Sequence, residues 1–543
     1  MSDQTKPEPS TNTSEPPVDS GLGDVVGKGT TWMMLGAAFA KATSFVAQVW
    51  LGHLLTDIDF GVFATASAIG WFLAILRDAG TNAILLQKGP KEYERYAGAL
   101  FWMGMAFAVG TGLLLAAAAY PIARAMHQPE IAPILWVIAA AGVFNTPASQ
   151  QQTKLRQDFR FRDFTVIQTI SAIIRQIATV VLAKAHFGPM SFAWPYLVCA
   201  IYELFAGARA TREKPWARSA DRHLWPGLLR QGLWTIAGSC ANFALDQGPY
   251  FVLGVLATEQ ITGQFYFAFQ LTAQVGVLMS YAVQLVLAPV FVRLNDDPKR
   301  QGEAMVRALR AMMLSGSIAC ISLSVTIEPL QTALWHGKWA MVVLPVMILG
   351  VAYPWRITFG LTTAILHAQG RFKRHAFLTA LEGVGLMAAV SVSAMVSKED
   401  LVLHAIAAGA WLMVGRLGVT LYFMIRLLAV PARDTLAALV PSWALACLAG
   451  GVVIWADRQI NLSGVCKAMV APLEGLTPAG RLHDQVHASG PHIVHAAILG
   501  LVCGAIFMVL ARVMLHAHVR DTVGVAPARV RAAFSTLLFL GEL

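Results

Sequence analysis

The sequence has little charge for its length. Only 13% of its 543 residues are Asp, Glu, Lys or Arg, whereas 56% are hydrophobic; a soluble domain carries about 25% charged residues. This deficit, together with repeated apolar runs of about twenty residues, is typical of a helical membrane protein. The formal net charge is +10. The basic residues lie in short loops between apolar runs, which is the positive-inside pattern, so nucleic acid is not a predicted partner.

The sequence also lacks the patterns of a disulfide framework, a metal centre or an active site. Its six cysteines show no paired spacing and most lie in apolar runs, so neither disulfides nor a metal site are predicted. It contains no GxxxxGK loop, HExxH helix or nucleophile elbow, and its fourteen histidines are scattered. The N-terminus has no apolar signal-peptide segment. We therefore predict a protein that is not an enzyme, with no catalytic residue, metal or cofactor.

Two stretches of the sequence repeat each other at a fixed distance. Residues 51–66 (LGHLLTDIDFGVFATA) and 253–268 (LGVLATEQITGQFYFA) each contain the end of one apolar run, a polar turn and the start of the next run. The matching positions, at an offset of 202 (263 − 61), are Leu51/Leu253, Gly52/Gly254, Leu54/Leu256, Thr56/Thr258, Gly61/Gly263, Phe63/Phe265 and Ala66/Ala268, with Lys28/Arg230, Trp32/Trp234 and Gly36/Gly238 upstream. A unit of about two hundred residues exceeds any solenoid repeat, so two homologous halves are predicted.

A second repeat fixes the relative direction of the halves. Residues 155–164 (LRQDFRFRDF) match 366–375 (LHAQGRFKRH) through Leu155/Leu366, Arg160/Arg371 and Phe161/Phe372, at an offset of 211 (371 − 160). Both halves therefore enter the membrane in the same direction. Parallel repeats about an axis along the membrane normal are an architecture of secondary transporters.

The apolar runs predict an all-α polytopic membrane protein with about fourteen transmembrane helices. Each run can cross about 30 Å of hydrocarbon as a helix. The predicted segments are a disordered cytoplasmic tail (1–27), a six-helix lobe (28–210), a cytoplasmic linker (211–226), a second six-helix lobe (227–430), two extra helices (431–515) with a periplasmic insertion (457–490), and a cytoplasmic tail (516–543).

Basic residues in the loops predict the orientation. Lys and Arg concentrate in alternate loops, at 88–95, 154–162, 212–222, 293–300 and 371–374, and the remaining loops hold far fewer. By the positive-inside rule the basic loops are cytoplasmic, and both termini lie on the same side. The insertion is predicted to be an adaptable loop with a short interfacial helix.

Ionisable residues at membrane depth are the candidate functional groups. Each costs about 2.5–3.5 kcal/mol on insertion scales, so such residues normally face a cavity or a partner. Several cations that converge on one cavity would bind an anionic group, and a diphosphate suits guanidinium groups because they bind phosphate oxygens bidentately. The candidate cations are Lys41, Arg175, Arg356 and Arg416, and the candidate anions are Asp78, Glu203, Asp246 and Glu382.

Two interpretations stay open for each of these residues. The cations either bind substrate or form structural ion pairs, for instance Arg416 or Arg175 with Glu203. Lys41 has no acidic residue near it in the sequence. The four acids are either ion- or proton-coupling groups or structural partners, and Asp246, which neighbours Asn242 and Gln247, is either a cation site or a polar contact between helices.

Four stretches resemble the polysaccharide (O-antigen and exopolysaccharide) flippases of the multidrug/oligosaccharidyl-lipid/polysaccharide exporter superfamily. They are residues 51–66, 77–88 (RDAGTNAILLQK), 155–164 and 289–300 (PVFVRLNDDPKR), and the similarity covers about residues 28–430. Matching positions of the family motifs are Asp78, Gly80 and Gln87, then Arg160 and Phe161, then Asp296 to Arg300. One departure is Pro249, where relatives often carry an Asp; Asp246 lies about one turn earlier.

The resemblance implies two six-helix lobes around a central cavity, plus two C-terminal helices. It implies a transporter that moves an undecaprenyl-diphosphate-linked oligosaccharide or polysaccharide precursor across the bacterial inner membrane by alternating access. The implied partners are this lipid-linked glycan, membrane lipids, and the polysaccharide polymerase and export machinery. The alternatives are a cation-coupled multidrug extruder of the same superfamily, a lipid II flippase, and a membrane glycosyltransferase or polymerase that would use Glu474 and Asp484 of the insertion.

Overall fold

The structure, a computed structural model, describes residues 20–212, 214–294, 297–460, 462–474 and 481–515. Across these ranges it contains seventeen α-helices, three short 3-10 turns and no strand, which confirms the all-α prediction. The predicted tail 516–543, residues 1–19 and Asp296 lie outside the described residues. Helix α1 begins at Ser20, within the segment that the sequence assigned to the N-terminal tail.

The helices fall into three groups along the chain. The first half contains α1 (Ser20–Leu54), α2 (Asp57–Asp78), α3 (Thr81–Ala125), α4 (Ile131–Gln157), α5 (Phe161–Lys184) and α6 (Met190–Thr211). The second half contains α7 (Trp225–Asp246), α8 (Gly248–Leu256), α9 (Glu259–Arg293), α10 (Pro298–Trp335), α11 (Val343–Ile357), α12 (Phe359–Ala368), α13 (Phe372–Val396) and α14 (Leu401–Leu427). The third group contains α15 (Ala432–Ile460), α16 (Leu462–Glu474) and α17 (Arg481–Met514).

Many of these helices are long and apolar enough to cross a membrane. Within the described residues, ten stretches meet that criterion by length and composition, and one of them, Asp57–Ala125, contains both α2 and α3. The chain is therefore a multi-pass membrane protein. The count of fourteen spans stays a prediction.

The helix boundaries repeat at the two offsets seen in the sequence. Helix α1 ends at Leu54 and α8 at Leu256, and the following helices begin at Asp57 and Glu259, each pair being 202 residues apart (256 − 54 and 259 − 57). Helices α5 and α13 begin 211 residues apart (372 − 161). The sequence repeat is thus a repeat of whole helices.

The halves differ in the continuity of two helices. The counterpart of α1 is split into α7 and α8 at Gln247, two residues before Pro249. Proline has no N–H to donate and its ring clashes with the carbonyl four residues earlier, so it breaks a helix there. The counterpart of α4 is likewise split into α11 and α12 at Thr358. Charged residues lie at both breaks: Asp246 is the last residue before the first break, and Arg416 donates to the carbonyl of Thr358 at the second.

The halves touch where α2 and α9 begin. A Cβ added to Gly61 would lie 1.9 Å from the carbonyl oxygen of Glu259, and one added to Gly263 would lie 1.8 Å from that of Asp57. Only glycine permits backbones to approach so closely. The side-chain amide of Gln264 also donates to Asp57 Oδ2 at 2.9 Å. We call this contact the Gly61 end; the charge pattern predicts that it is non-cytoplasmic.

The halves also touch at the opposite end of α2. A Cβ added to Gly232 of α7 would lie 2.4 Å from the carbonyl oxygen of Ala79, and Gly80 has a φ of 74°, which favours glycine. Helices α15 and α17 pack on α10 outside both halves. Their shared core is a separate apolar cluster that includes Ile321, Ala449 and Phe507.

Candidate substrate cavity

Two adjoining cavities lie beside α2. The inter-half cavity, of about 420 Å³, is lined by residues of α2, α3, α4 and α7. The first-half cavity, of about 380 Å³, is lined by residues of α2, α4, α5 and α6. Residues that line both are Trp71, Ala74, Arg77, Asn145 and Ser149. Pockets of this size hold small ligands.

Two arginines of the first half line these cavities, and Lys41 lies near one of them. Arg175 lines the first-half cavity, with its guanidinium carbon 5.9 Å from the ring centroid of Tyr196. Arg77 lines both cavities and donates to Asn145 Oδ1 at 3.2 Å. Lys41, half-buried on α1, lies within electrostatic range of Arg175 because α1 packs along α5. None of the three forms a salt bridge within the part of the chain that the structure describes.

The acids of the first half are held by neutral side chains. Glu203 lines the first-half cavity; its Oε2 accepts from the Gln152 amide at 2.9 Å and its Oε1 from the Ser171 hydroxyl at 2.6 Å. Asp78 lines the inter-half cavity and accepts from the Asn82 amide at 2.5 Å. Among the described residues neither carboxylate has a salt-bridge partner, so both keep their full charge beside the cavities when ionised.

Arg356 and Asp246 form an ion pair at the wall of the inter-half cavity. The distance from Arg356 Nη2 to Asp246 Oδ1 is 2.6 Å, and the side chains are 14% and 57% exposed. Asp246 is the last residue of α7, directly before the helix break. This pair therefore joins the end of α7 to α11.

Arg416 and Glu382 form a second, deeply buried pair. The distance from Arg416 Nη1 to Glu382 Oε1 is 2.6 Å, and the side chains are only 3% and 5% exposed. The guanidinium also donates to the carbonyl and the hydroxyl of Thr358, each at 3.0 Å, and to the hydroxyl of Thr362. It thus satisfies a backbone carbonyl at the break between α11 and α12.

The structure divides the eight predicted site residues into two classes. Lys41, Arg175, Asp78 and Glu203 lie at or next to the cavities without salt bridges among the described residues, and their roles stay predictions. Arg356, Arg416, Asp246 and Glu382 form two ion pairs. The pairing of Arg416 or Arg175 with Glu203, offered from the sequence as an example, is not the one observed, because α13 rather than α6 places a carboxylate beside Arg416.

Sequence reasoning underrated two residues of the site. Arg77 is not among the cations predicted from the sequence, yet it lines both cavities. Trp71, one and a half turns earlier on α2, also lines both. The sequence carries a signal for both, because Trp71 is the one tryptophan and Arg77 the one cation in residues 57–78.

The chain is similar in sequence to known polysaccharide biosynthesis proteins. A family model described as "Polysaccharide biosynthesis protein" matches residues 50–344. The succinoglycan biosynthesis transport protein ExoT of Rhizobium meliloti (strain 1021) is 24% identical over 310 residues, which are 57% of this chain and 62% of that protein. The amylovoran biosynthesis protein AmsL of Erwinia amylovora is 23% identical over 286 residues, which are 50% of this chain and 71% of that protein. The match thus spans less than two thirds of the succinoglycan protein.

Solved structures establish the fold. An inward-closed structure of the lipid II flippase MurJ has a TM-score of 0.65 at 12% identity, covering 89% of this chain and 99% of that one. An inward-facing multidrug resistance transporter of the MATE family has a TM-score of 0.57 at 14% identity, covering 72% and 95%. These likenesses show that the chain shares the fold of these two proteins. Because the family model matches more than half of its residues, the chain belongs to the polysaccharide biosynthesis protein family.

Proposed function

We propose that this protein flips an undecaprenyl-diphosphate-linked oligosaccharide or polysaccharide precursor across the bacterial inner membrane by alternating access. The observation that carries the proposal is that Arg77 and Arg175 line the first-half cavity, with Lys41 within electrostatic range of Arg175, and that none of the three forms a salt bridge in the described part of the chain. Family membership and the names of the two relatives support the substrate class.

The charges of the first-half cavity favour a bound anion, because Arg77 and Arg175 line it and, among the described residues, Glu203 is the one carboxylate in its lining. Each cation at membrane depth costs about 2.5–3.5 kcal/mol on insertion scales, and Lys41 and Arg175 repel each other. Such an arrangement is stabilised when an anion occupies the space between the cations. A diphosphate offers two charged groups with several oxygens, which matches two guanidinium groups and one ammonium group.

The glycan would pass through the inter-half cavity while its lipid tail stays in the bilayer. About half of the residues that line that cavity carry an amide or a hydroxyl, among them Asn82, Asn145, Ser149 and Asn242. Neutral polar groups suit a sugar because each can exchange a hydrogen bond with a hydroxyl. Rocking of the halves would open the Gly61 end and release the glycan.

The four acidic residues have two different roles in the proposed mechanism. Asp78 and Glu203 are the candidates for ion or proton coupling, since both reach a cavity and neither is neutralised by a salt bridge among the described residues. Asp246 and Glu382 serve as structural partners of Arg356 and Arg416. No step of this mechanism makes or breaks a covalent bond, so the protein acts as a transporter and not as an enzyme.

The proposed function also implies an orientation in the membrane and a set of partners. The basic loops support cytoplasmic termini, so the cavities would first meet the lipid-linked glycan on the cytoplasmic side. Polysaccharide polymerase and export machinery would take the product on the far side, and membrane lipids surround the exposed apolar helix faces.

Deletion of the gene tests the proposed function. The measured quantity is the distribution of undecaprenyl-diphosphate glycans between the two leaflets of the inner membrane. We expect accumulation in the cytoplasmic leaflet, with the accumulated glycan identifying the cargo. Unchanged distribution with greater sensitivity to cationic dyes would favour the multidrug extruder, and accumulation of the peptidoglycan precursor would favour a lipid II flippase.

A further inference from the structure

We propose that Trp71 is a stacking platform for a sugar ring of the cargo, so that the cavity binds the glycan as well as its diphosphate. The proposal rests on the proposed function and deepens it. The relevant geometry is the position of an exposed indole between the two cavities, next to Arg77 and to neutral polar side chains.

Trp71 lies where the buried part of α2 ends, and unlike the exposed Phe72 beside it, it lines the cavities. Every residue from Phe60 to Gly70 is buried, and Trp71 follows them with 51% of its surface exposed. Its side chain lines both cavities. Exposed apolar surface costs about 25 cal/mol per Å² relative to burial, so a large indole facing a polar cavity loses stability that a bound ligand with an apolar face would restore.

The neighbours of Trp71 select a sugar over other ligands with an apolar face. A pyranose has faces of C–H groups and a rim of hydroxyls, so it needs an aromatic surface with hydrogen-bonding groups at its edge. Asn145 and Ser149 line both cavities with Trp71. The Asn145 carbonyl oxygen accepts from Arg77, which orients the amide and leaves its NH₂ group without a partner among the described residues.

The spacing along α2 links this platform to the diphosphate site. Arg77 lies six residues after Trp71, which is about 9 Å along a helix at 1.5 Å per residue. A diphosphate beside Arg77 and Arg175 would therefore hold the sugar attached to it close to the indole. The first sugars of the cargo, and not the distal ones, are those that Trp71 would contact.

The chain provides a matched control for tryptophan exposure. Trp136 of α4 is also 50% exposed, but its indole N–H donates to the carbonyl of Ala116 at 3.0 Å, and it lines neither cavity. Replacement of Trp136 therefore measures the effect of losing an exposed indole without touching the proposed sugar site.

Binding to the purified full chain tests the proposal. Native mass spectrometry would give the Kd of undecaprenyl diphosphate with and without its oligosaccharide for the wild type, Trp71→Leu, Trp71→Phe and Trp136→Leu. We expect the wild type and Trp136→Leu to bind the glycan-bearing lipid more tightly than the bare lipid. Trp71→Leu should lose roughly tenfold in affinity for the glycan-bearing lipid only, about 1.4 kcal/mol, and Trp71→Phe should keep most of the affinity because a smaller aromatic face remains.

Each other outcome overturns a specific statement. Equal weakening of both lipids by Trp71→Leu, or no weakening of either, would overturn the sugar platform while leaving the diphosphate site intact. Failure of the wild type to bind the bare lipid would instead overturn the diphosphate site of the proposed function. Binding of the bare lipid by Trp71→Leu at the wild-type Kd also shows that the variant is folded.

Discussion

The two halves share an architecture but use their buried charges in opposite ways. In the first half, Arg77 and Arg175 line the cavities and Lys41 lies within electrostatic range of Arg175, and none of the three forms a salt bridge in the described chain. In the second half, Arg356 and Arg416 are each paired with a carboxylate at 2.6 Å. Cations occur at membrane depth in both halves, so it is the pairing and not the presence of charge that separates them.

Helix continuity explains this difference. Helices α1 and α4 are unbroken, whereas their counterparts are split at Gln247 and Thr358. A broken helix leaves backbone groups that need partners inside a membrane, and Arg416 supplies one to the Thr358 carbonyl. The second half therefore uses its arginines to hold two breaks together, while those of the first half remain available to a ligand.

Removal of Arg416 should give the largest effect on stability. The Arg416→Ala change would leave Glu382 buried without its partner, which costs about 3–5 kcal/mol. We expect a large drop in the unfolding temperature in detergent and a low folded yield. Double replacement, Arg416→Met with Glu382→Leu, removes both charges and should recover much of that loss.

Transport by the variant with Arg416→Met and Glu382→Leu tests whether Arg416 is structural or binds substrate. If Arg416 is structural, the variant transports lipid-linked glycan near the wild-type rate once folded. A variant that is folded and stable but inactive would place Arg416 in the substrate site and break the contrast between the halves.

Neutralisation of Lys41 or Arg175 should affect transport more than stability. Lys41→Met and Arg175→Met each remove one member of a like-charged set, so we expect the unfolding temperature to stay equal or rise slightly. Each should lower the transport rate roughly tenfold or more, since about 1.4 kcal/mol of binding to the diphosphate corresponds to tenfold. Flipping of lipid-linked glycan in reconstituted vesicles, with unfolding measured on the same samples, gives both quantities.

A variant that conserves the charge is the control for this prediction. Lys41→Arg retains the positive charge and should keep most of the transport rate. Loss of stability in Lys41→Met or Arg175→Met comparable to that in Arg416→Ala would mean that these cations also hold the fold together, contrary to the contrast drawn here.

The pair of Arg356 and Asp246 should give the smallest effect. Asp246 is more than half exposed, although Arg356 is only 14% exposed, and replacing both residues together leaves no buried charge without a partner. We therefore expect Arg356→Met with Asp246→Asn to shift the unfolding temperature only slightly and to leave transport within about threefold of the wild type, where threefold is well under 1.4 kcal/mol. A much larger loss of transport without loss of stability would show that this pair binds substrate and would make the second half a participant in recognition.

Local features of the sequence predicted much of the fold. The offsets of 202 and 211 between repeated segments reappear as offsets between helix ends, because apolar runs, turn residues and helix caps act within a few residues of each other. Thr56, for example, caps α2 by accepting from the Asp59 N–H at 3.2 Å, and Thr258 makes the corresponding contact with the backbone of Ile261 at 3.3 Å. Cap and turn chemistry of this kind is readable from sequence.

The arrangement of charges was not predictable in the same way. Arg416 pairs with a carboxylate 34 positions away on α13 and Arg356 with one 110 positions away on α7, so neighbourhood along the chain identified neither partner. Arg77 lies near a helix end, where the sequence favours an interfacial role, but the packing of α2 against α4 brings it to both cavities.

The sequence by itself determined that this is a helical membrane protein built from two parallel repeats, with several cations and acids in apolar runs. Hydropathy and repetition are properties of the residues in order, so they need no coordinates. Only the tertiary structure decided which of those charges neutralise each other and which meet a cavity. The reason is physical: the energy of a charge depends on what lies within a few ångströms of it, and that is set by which helices pack side by side.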